Sequence, residues 1–294
     1  MAQIQSTSKE QQLKQIAEML LLYGTLTECP GLAHGKMGIS IFFFHYARYT
    51  GNIIFEEYAF DLIEKIQEQI HVNSPASYEK GIAGIGVGID YLIRNKFLDA
   101  EDDIFEDFDQ KMVCAVMYDP CQDFSLYEGL TGYGKYWMAR LRQLTSSVQA
   151  KDCLLRIIGR IEEKLPDIPV SEQTDVYCFL HDLQEISVFD AGRNHALPLL
   201  KQCRRAWDLQ SSDVIRSFSR LGDSAVGRIV RAYLRILYFN DGLQDEIDFS
   251  LTQIPEMDIE KLTSGMGLLT GFVGEGLLRL TALDQANTSW MQLL

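Results

Sequence analysis

Hydrophobic residues recur along the chain with helical spacing, in two alternating kinds of segment. In the first kind, apolar residues three and four positions apart share one face and charged residues fill the other, as at Leu13, Ile16 and Leu20. In the second kind, apolar residues would occupy nearly every face of the helix, and glycines precede them in the sequence, as in GLAHGKMGISIFFF from Gly31. The first pattern predicts amphipathic surface helices, and the second predicts buried helices.

The glycine-headed segments repeat at an interval of about 48 residues. The segment DVYCFLHDLQEISVF fills one double interval as a degenerate copy. The pattern therefore predicts six units, each with one amphipathic and one buried helix. The leading glycines of the other five units are taken as Gly31, Gly81, Gly129, Gly222 and Gly271.

This repeat predicts an all-α protein, an α/α toroid of about six helical hairpins with outer and inner rings of helices. A linear solenoid is the alternative architecture. Closure is favoured because a solenoid would leave the apolar inner helices uncovered at its ends. Glycines three residues apart, such as Gly81 and Gly84, suit a crowded inner ring. We expect residues 1–294 to form one domain.

Composition narrows the classes of partner. The formal charge of −14 and the pI of about 4.8 argue against nucleic acid and are compatible with a basic peptide. The first residues are polar, and no apolar run is long enough to span a bilayer, so a cytoplasmic protein without a membrane partner is expected. The six cysteines form no C-x-x-C pair and are expected to be reduced core thiols.

Four glycine motifs resemble those of the lanthionine synthetase C-like proteins, the cyclases of lantibiotic biosynthesis and their relatives. The motifs are GLAHGKMGISIFFF, GIAGIGVGIDYL, YEGLTGYGKYWMARL and GLLTGFVGEGLLRL, and the resemblance covers nearly the whole chain. It implies an α/α toroid that acts on a ribosomally made peptide. In the family's cyclases, zinc held by two cysteines and a histidine activates a peptide thiol.

The chain departs from the family's zinc motifs. SRLGD best matches the family's W-C-Y-G motif, so Arg220 stands where the first cysteine would be. C-H-G is absent from the sequence. If the last repeats correspond, Leu269 and Thr270 take its ligand positions; otherwise that repeat is missing, since typical members have seven hairpins. The family's acid/base histidine falls near DVYC, at Cys178. Because these ligand residues are replaced, we expect no cofactor, with zinc as the alternative.

Several polar residues near the helix heads are candidates for chemistry. His34 is either a general base or substrate contact, or a histidine that fills a polar slot; with Cys29 it is also a possible metal pair. Cys178 and His181, three residues apart on one helix, are a possible metal or thiolate–imidazole pair, or a buried thiol beside a capping histidine.

Acidic residues also precede the glycines. Glu128 and Asp223 are candidates for acid/base catalysis and Glu79, Tyr127 and Arg220 for substrate binding. The alternative is that the acids only favour helix N-termini. Nearby aromatic residues either contact a peptide or sugar ligand or belong to the core. They are Tyr78, Tyr127, Tyr133, Tyr136 and Trp137. His45 is expected in the core, and His71 and His195 in loops or at helix ends.

Three functions remain open from the sequence. The first is a zinc-free pseudoenzyme of peptide modification that binds a precursor peptide or a partner modifying enzyme. The second is a glycosidase on a six-hairpin toroid, which needs two carboxylates that face a cavity. The third is a non-catalytic interaction module.

Overall fold

The computed structural model describes residues 2–71, 73–99, 105–118, 121–207, 218–252, 254, 265–269, 271–284 and 287–294. These residues are all-helical, as predicted, and include no strand. The α-helices in chain order are α1 (Ala2–Gly24), α2 (Lys36–Thr50), α3 (Ile53–Gln69), α4 (Ile82–Arg94), α5 (Glu106–Val113), α6 (Leu130–Gln143), α7 (Val148–Lys164), α8 (Val170–Asp182), α9 (Asp190–Ala206), α10 (Ala225–Phe239), α11 (Gln244–Thr252) and α12 (Phe272–Asp284). A π-helical turn, Cys114–Tyr118, follows α5.

The chain packs as two compact units, residues 1–71 with 220–294, and residues 72–219. In the first unit, α2 packs on α3 and α12, α1 packs on α12, and α10 packs on α11 and α12. In the second unit, α6 packs on α4, α7 and α8, and α9 packs on α7 and α8. The assignment of residues 1–294 to one domain stays a prediction.

Amphipathic and buried helices alternate as the hydrophobic pattern predicts, except that α10, expected to be buried all round, buries one face and leaves Arg228 exposed. In α4 every residue from Ile82 to Leu92 is buried, whereas α7 buries one stripe that includes Leu154, Ile157 and Ile161. In the third repeat, Ile104, Phe105, Phe108 and Met112 continue the amphipathic spacing in the sequence; Ile104 lies outside the described residues, whereas the other three are buried. No helix in the described part of the chain is long and apolar enough to cross a membrane.

Four of the buried helices begin with the same loop, which we call the head loop. The first helical N–H donates to the carbonyl oxygen seven residues earlier, over 2.9–3.2 Å, at Lys36, Ile82, Leu130 and Phe272. The equivalent glycines are therefore Gly35, Gly81, Gly129 and Gly271. Gly31 lies four residues too early, which corrects the sequence register.

A second correction concerns α10, where Ser224 replaces the glycine before the helix. The Ser224 hydroxyl accepts a hydrogen bond from Gly227 N over 3.0 Å, an ordinary serine N-cap. Gly222, taken as the leading glycine from the sequence, lies in the preceding loop with φ +62°. A capping side chain has replaced the glycine, so the motif is shifted by two residues.

The motif glycines are there because neighbouring atoms leave no room for a Cβ. A Cβ on the glycine before the helix would lie 2.1–2.4 Å from a carbonyl oxygen six residues earlier, at Gly35, Gly81, Gly129 and Gly271. At the third helical position the same clash is 2.0–2.6 Å, at Gly38, Gly132, Gly227 and Gly274. At the fifth position the neighbour is an aromatic ring at 2.2–2.5 Å, for Gly86, Gly134 and Gly276.

Candidate functional site

Two pairs of head loops are joined by an equivalent backbone contact. Between the loops that precede α4 and α6, Tyr127 O accepts hydrogen bonds from Tyr78 N over 2.8 Å and from Glu79 N over 3.1 Å. In the other unit, Leu268 N donates to Ala33 O over 2.7 Å at the equivalent loop positions. The loop before α12 thus contacts the loop before α2 in the same way as the loop before α4 contacts the loop before α6.

The degenerate fourth repeat replaces this contact with side chains. Leu126 N donates to Asp175 Oδ2 and Phe124 N donates to Glu172 Oε2, each over 2.8 Å. Asp175 lies four residues before Phe179, as Gly132 lies four residues before Tyr136, so it takes the place of a motif glycine. Sequence reasoning missed both acids, although the glycine-to-aromatic spacing pointed to Asp175.

Two predicted site residues, Glu79 and Glu128, meet at the junction of the second and third loops. Glu79 N donates to the carbonyl oxygen of Tyr127, the residue before Glu128, over 3.1 Å. Glu128 is exposed, but partial desolvation of its carboxyl group and next the neighbouring Glu79 side chain raise the pKa of Glu128 above its ordinary value. The junction therefore brings two acidic residues together.

Other charged groups surround this pair. Lys80 Nζ lies 3.6 Å from Glu79 Oε1. Asp123, on the same loop as Glu128, accepts a hydrogen bond from Ser125 N over 2.6 Å. Burial raises the pKa of Glu172, although the hydrogen bond from Phe124 N opposes this shift. The second unit therefore gathers five acids around these loops, with Lys80 as a cation beside them.

The first unit holds His34 and Asp223, which precede their helices in the same register as Glu128. His34 is half-buried, and a Cβ on Gly267 would lie 2.7 Å from its Nδ1. Asp223 is exposed, with its Oδ1 3.8 Å from Arg231 Nη2. The structure thus places three of the five predicted catalytic residues, His34, Glu128 and Asp223, at equivalent loop positions. Cys29, proposed as a metal partner of His34, accepts a hydrogen bond from Gly31 N over 3.4 Å.

Cys178 and His181 lie on α8 as predicted. Cys178 is buried, with 4% of its surface exposed, and the His181 ring lies 6.4 Å from the Tyr177 ring. Arg204 caps that tyrosine, with Nε and Nη2 2.9 and 2.6 Å from Tyr177 Oη. The thiol is enclosed by the core, which suits a structural cysteine better than a nucleophile.

The residues at the family's zinc positions do not fit a zinc ion. Arg220 is a cation that donates to Leu294 O from Nε and Nη2, over 3.0 and 2.8 Å. Leu269 is a buried aliphatic side chain, and Thr270 lies outside the described residues. In the described ranges, no three side chains of His, Cys, Asp or Glu are grouped to hold a metal ion.

The aromatic and remaining histidine candidates are mainly structural. The rings that belong to the core are Tyr78, Tyr133, Tyr136 and Trp137, and Tyr127 is half-buried. His45, expected in the core, is half-buried on α2, and desolvation by burial lowers its pKa to about 3. His195, predicted in a loop or at a helix end, instead lies within α9, where Nε2 is 2.8 Å from Glu162 Oε2.

No family model matches this sequence, and no curated protein matches it. The resemblance to the lanthionine synthetase C-like proteins therefore stands on the four motifs and stays a prediction.

Proposed function

We propose that the chain is a lanthionine synthetase C-like α/α toroid of six hairpins that binds a precursor peptide at its head loops and performs no zinc-dependent cyclisation. The contact between Leu268 N and Ala33 O carries the proposal. It joins the last head loop to the first in the geometry that Tyr78 N and Tyr127 O use within the chain. Repeats that meet end to end in this way favour a closed ring over a solenoid.

The glycine clashes support the same architecture. In the first unit a Cβ on Gly276 of α12 would lie 2.4 Å from the Phe42 ring of α2. In the second unit Gly86 of α4 meets the Tyr136 ring of α6 at 2.5 Å. The last buried helix therefore packs on the first in the way that one repeat packs on the next. Both observations are independent of the family resemblance.

Peptide binding is favoured over catalysis by the side chains in these loops. Two positions before the first helical residue, four of these loops carry His34, Lys80, Glu128 and Asp223. The loops therefore present different polar side chains at this position and no common catalytic set. The residues at the zinc positions supply no thiolate. The net charge of −14 favours a basic segment of peptide as the bound partner.

The glycosidase alternative gains no support from the carboxyl pair. Retaining glycosidases hold their two carboxyl groups about 5–5.5 Å apart and inverting ones about 6.5–9.5 Å. Glu128 is exposed and Glu79 Oε1 lies 3.6 Å from Lys80 Nζ, so the described residues do not show these two carboxyl groups facing an enclosed cavity.

Fluorescence anisotropy with three labelled 25-residue peptides tests the proposal. One is basic and rich in Cys, Ser and Thr, the second is acidic with the same Cys, Ser and Thr positions, and the third is basic without Cys, Ser or Thr. We expect the first peptide to bind at least tenfold more tightly than the second. A Glu79→Lys/Glu128→Lys variant is expected to lose that preference, whereas Glu57→Lys on the exposed face of α3 keeps it.

Equal binding of the basic and acidic peptides would contradict a role for these loops in peptide recognition. A parallel incubation of the protein with a peptide that contains dehydroalanine and cysteine monitors free thiol. Loss of thiol that depends on added zinc would overturn the assignment of a zinc-free protein.

A further inference from the structure

Residues 287–294 pack against α10 and α12 of the first unit, and we call them the docked segment. A short 3₁₀ helix, Ser289–Leu293, forms most of this segment and packs on α10. The apolar side chains of the segment have exposed fractions of 0–3%, namely Trp290, Met291, Leu293 and Leu294. The surface that α10 and α12 present therefore encloses every apolar side chain of an eight-residue peptide.

Trp290 is the largest side chain of the docked segment, and its polar atom has a partner on α12. Trp290 Nε1 donates to Thr281 Oγ1 over 3.0 Å. Thr281 Oγ1 also lies 3.1 Å from Asn287 O, so one hydroxyl group contacts the segment twice. A buried tryptophan with a satisfied indole N–H combines a large apolar area with a directional contact. Side chains of this kind are typical anchors of bound peptides and protein interfaces.

Two further contacts lie along α10 and in the loop that precedes it. Gln292, whose side chain is exposed, donates from Nε2 to Tyr233 Oη over 2.9 Å, midway along α10. Arg220 donates from Nε and Nη2 to Leu294 O over 3.0 and 2.8 Å. The docked segment therefore extends from α12 to the loop before α10, and it has a polar partner at each end and in the middle.

The docked segment also holds its own backbone shape. Met291 N donates to Thr288 O over 3.0 Å, and Leu294 N donates to Met291 O over 3.3 Å. Ser289 N donates to Asn287 Oδ1 over 2.9 Å. The contacts with α10, α12 and the preceding loop described above use side chains and carbonyl oxygens. A short helical peptide binds a groove on another protein in the same way.

We propose that α10, α12 and Arg220 form a binding site for a short uncharged peptide that carries a tryptophan, and that the docked segment fills this site as an intramolecular ligand. A peptide of the same chemistry displaces the segment, and no covalent bond changes. The segment carries no charged side chain. The site is therefore distinct from the basic-peptide binding proposed at the head loops, and the inference does not rest on that proposal.

Fluorescence anisotropy with a labelled octapeptide, NTSWMQLL, tests the site on the full chain. The parent should bind this peptide weakly, because a tethered ligand competes at an effective concentration on the order of millimolar. Trp290→Ala removes the anchor of the segment but leaves Thr281, Tyr233 and Arg220 in place. This variant should therefore bind the octapeptide at least tenfold more tightly than the parent. The same octapeptide with alanine in place of tryptophan should bind neither protein.

A milder substitution and a measurement on the parent keep the test valid if Trp290→Ala does not fold. Gln292→Ala removes one hydrogen bond of the segment, so we expect it to bind the octapeptide about threefold more tightly than the parent. Gln67→Ala on the exposed face of α3 is the matched control and should bind as the parent does. In amide hydrogen exchange on the parent, Met291 and Leu294 should be at least tenfold less protected than Leu280 of α12.

Three results would overturn the proposal. The first is a folded Trp290→Ala protein that binds the octapeptide no more tightly than the parent, or that binds the alanine peptide equally well. The second is equal protection of Met291, Leu294 and Leu280, because the segment would then open only when the unit unfolds. The third is a dimer of the parent in light scattering that is lost in Trp290→Ala, which would assign the site to the docked segment of a second copy.

Discussion

Alanine in place of Gly134 will destabilise the protein, although alanine is the better helix former. A Cβ at this position would lie 2.2 Å from Cε2 of Phe179, whose ring is completely buried. Ordinary van der Waals contact begins near 3.4 Å, so the ring or the helix must move by about 1 Å. Overpacking of this kind costs about 1–3 kcal/mol. The higher helix propensity of alanine offsets about 1 kcal/mol.

We therefore expect Gly134→Ala to lower the free energy of unfolding by up to about 2 kcal/mol. Gly159→Ala on α7 is the matched control, because no heavy atom lies within 4 Å of its added Cβ. There the propensity gain stands alone and should raise the free energy of unfolding by about 0.5–1 kcal/mol. The two substitutions are identical in chemistry and are predicted to have opposite signs.

Urea denaturation followed by circular dichroism at 222 nm measures both effects. A third variant, Gly134→Ala/Phe179→Leu, relieves the clash, so the double substitution should show a favourable coupling of about 1 kcal/mol. If Gly134→Ala is as stable as Gly159→Ala, the close approach of α6 and α8 is absent and the explanation of the motif glycines is wrong.

Three further predictions follow from the loops and the core. The pKa of Glu128 is raised in the folded state, so its contribution to stability is fully present below its unfolded pKa and is lost as pH rises through its folded pKa. Between pH 4.5 and 7.5 the melting temperature of Glu128→Gln should therefore fall less than that of the parent. Equal falls in the two proteins would contradict the raised pKa. Asp175→Ala should cost about 2 kcal/mol in a urea titration because it leaves the buried Leu126 N–H without its acceptor, whereas Asp107→Ala on the exposed face of α5 should cost under about 0.5 kcal/mol. Burial raises the pKa of the Cys153 and Cys203 thiols to about 12. Ellman's reagent at pH 8 should therefore label the exposed Cys114 quickly and these two buried thiols only after unfolding. Fast labelling of Cys153 or Cys203 in the folded protein would show that the labelled thiol lies outside the core.

The hydrophobic pattern predicted the helices well because burial follows the period of the apolar residues. The glycines were correctly associated with close packing, as the clashes at Gly132 and Gly276 demonstrate. The register was wrong at Gly31 and Gly222 because a loop glycine and a helix-heading glycine look alike in sequence. At α10 the Ser224 hydroxyl caps the helix and removes the need for glycine.

The candidate site was only partly predictable. Glu79 and Glu128 were predicted as site residues that precede the helix glycines, but the sequence did not show that they lie together. They do so because a residue four positions before one helix contacts a residue three positions before the next. That offset is a property of packing between repeats and cannot be inferred from one repeat alone. Glu172 and Asp175 were missed because the fourth repeat has lost the glycines that mark the others, while its acids hold the preceding loop.

The proposed function is that of a lanthionine synthetase C-like ring without a zinc centre. Elemental analysis tests it most directly, on the full chain purified without chelators, equilibrated with micromolar zinc and freed of unbound metal. The account predicts less than about one-tenth of a zinc ion per chain, because the ligand positions carry Arg220 and Leu269. One zinc per chain, lost in Cys178→Ala or His181→Ala, would contradict the account and restore metal-dependent cyclisation as the function.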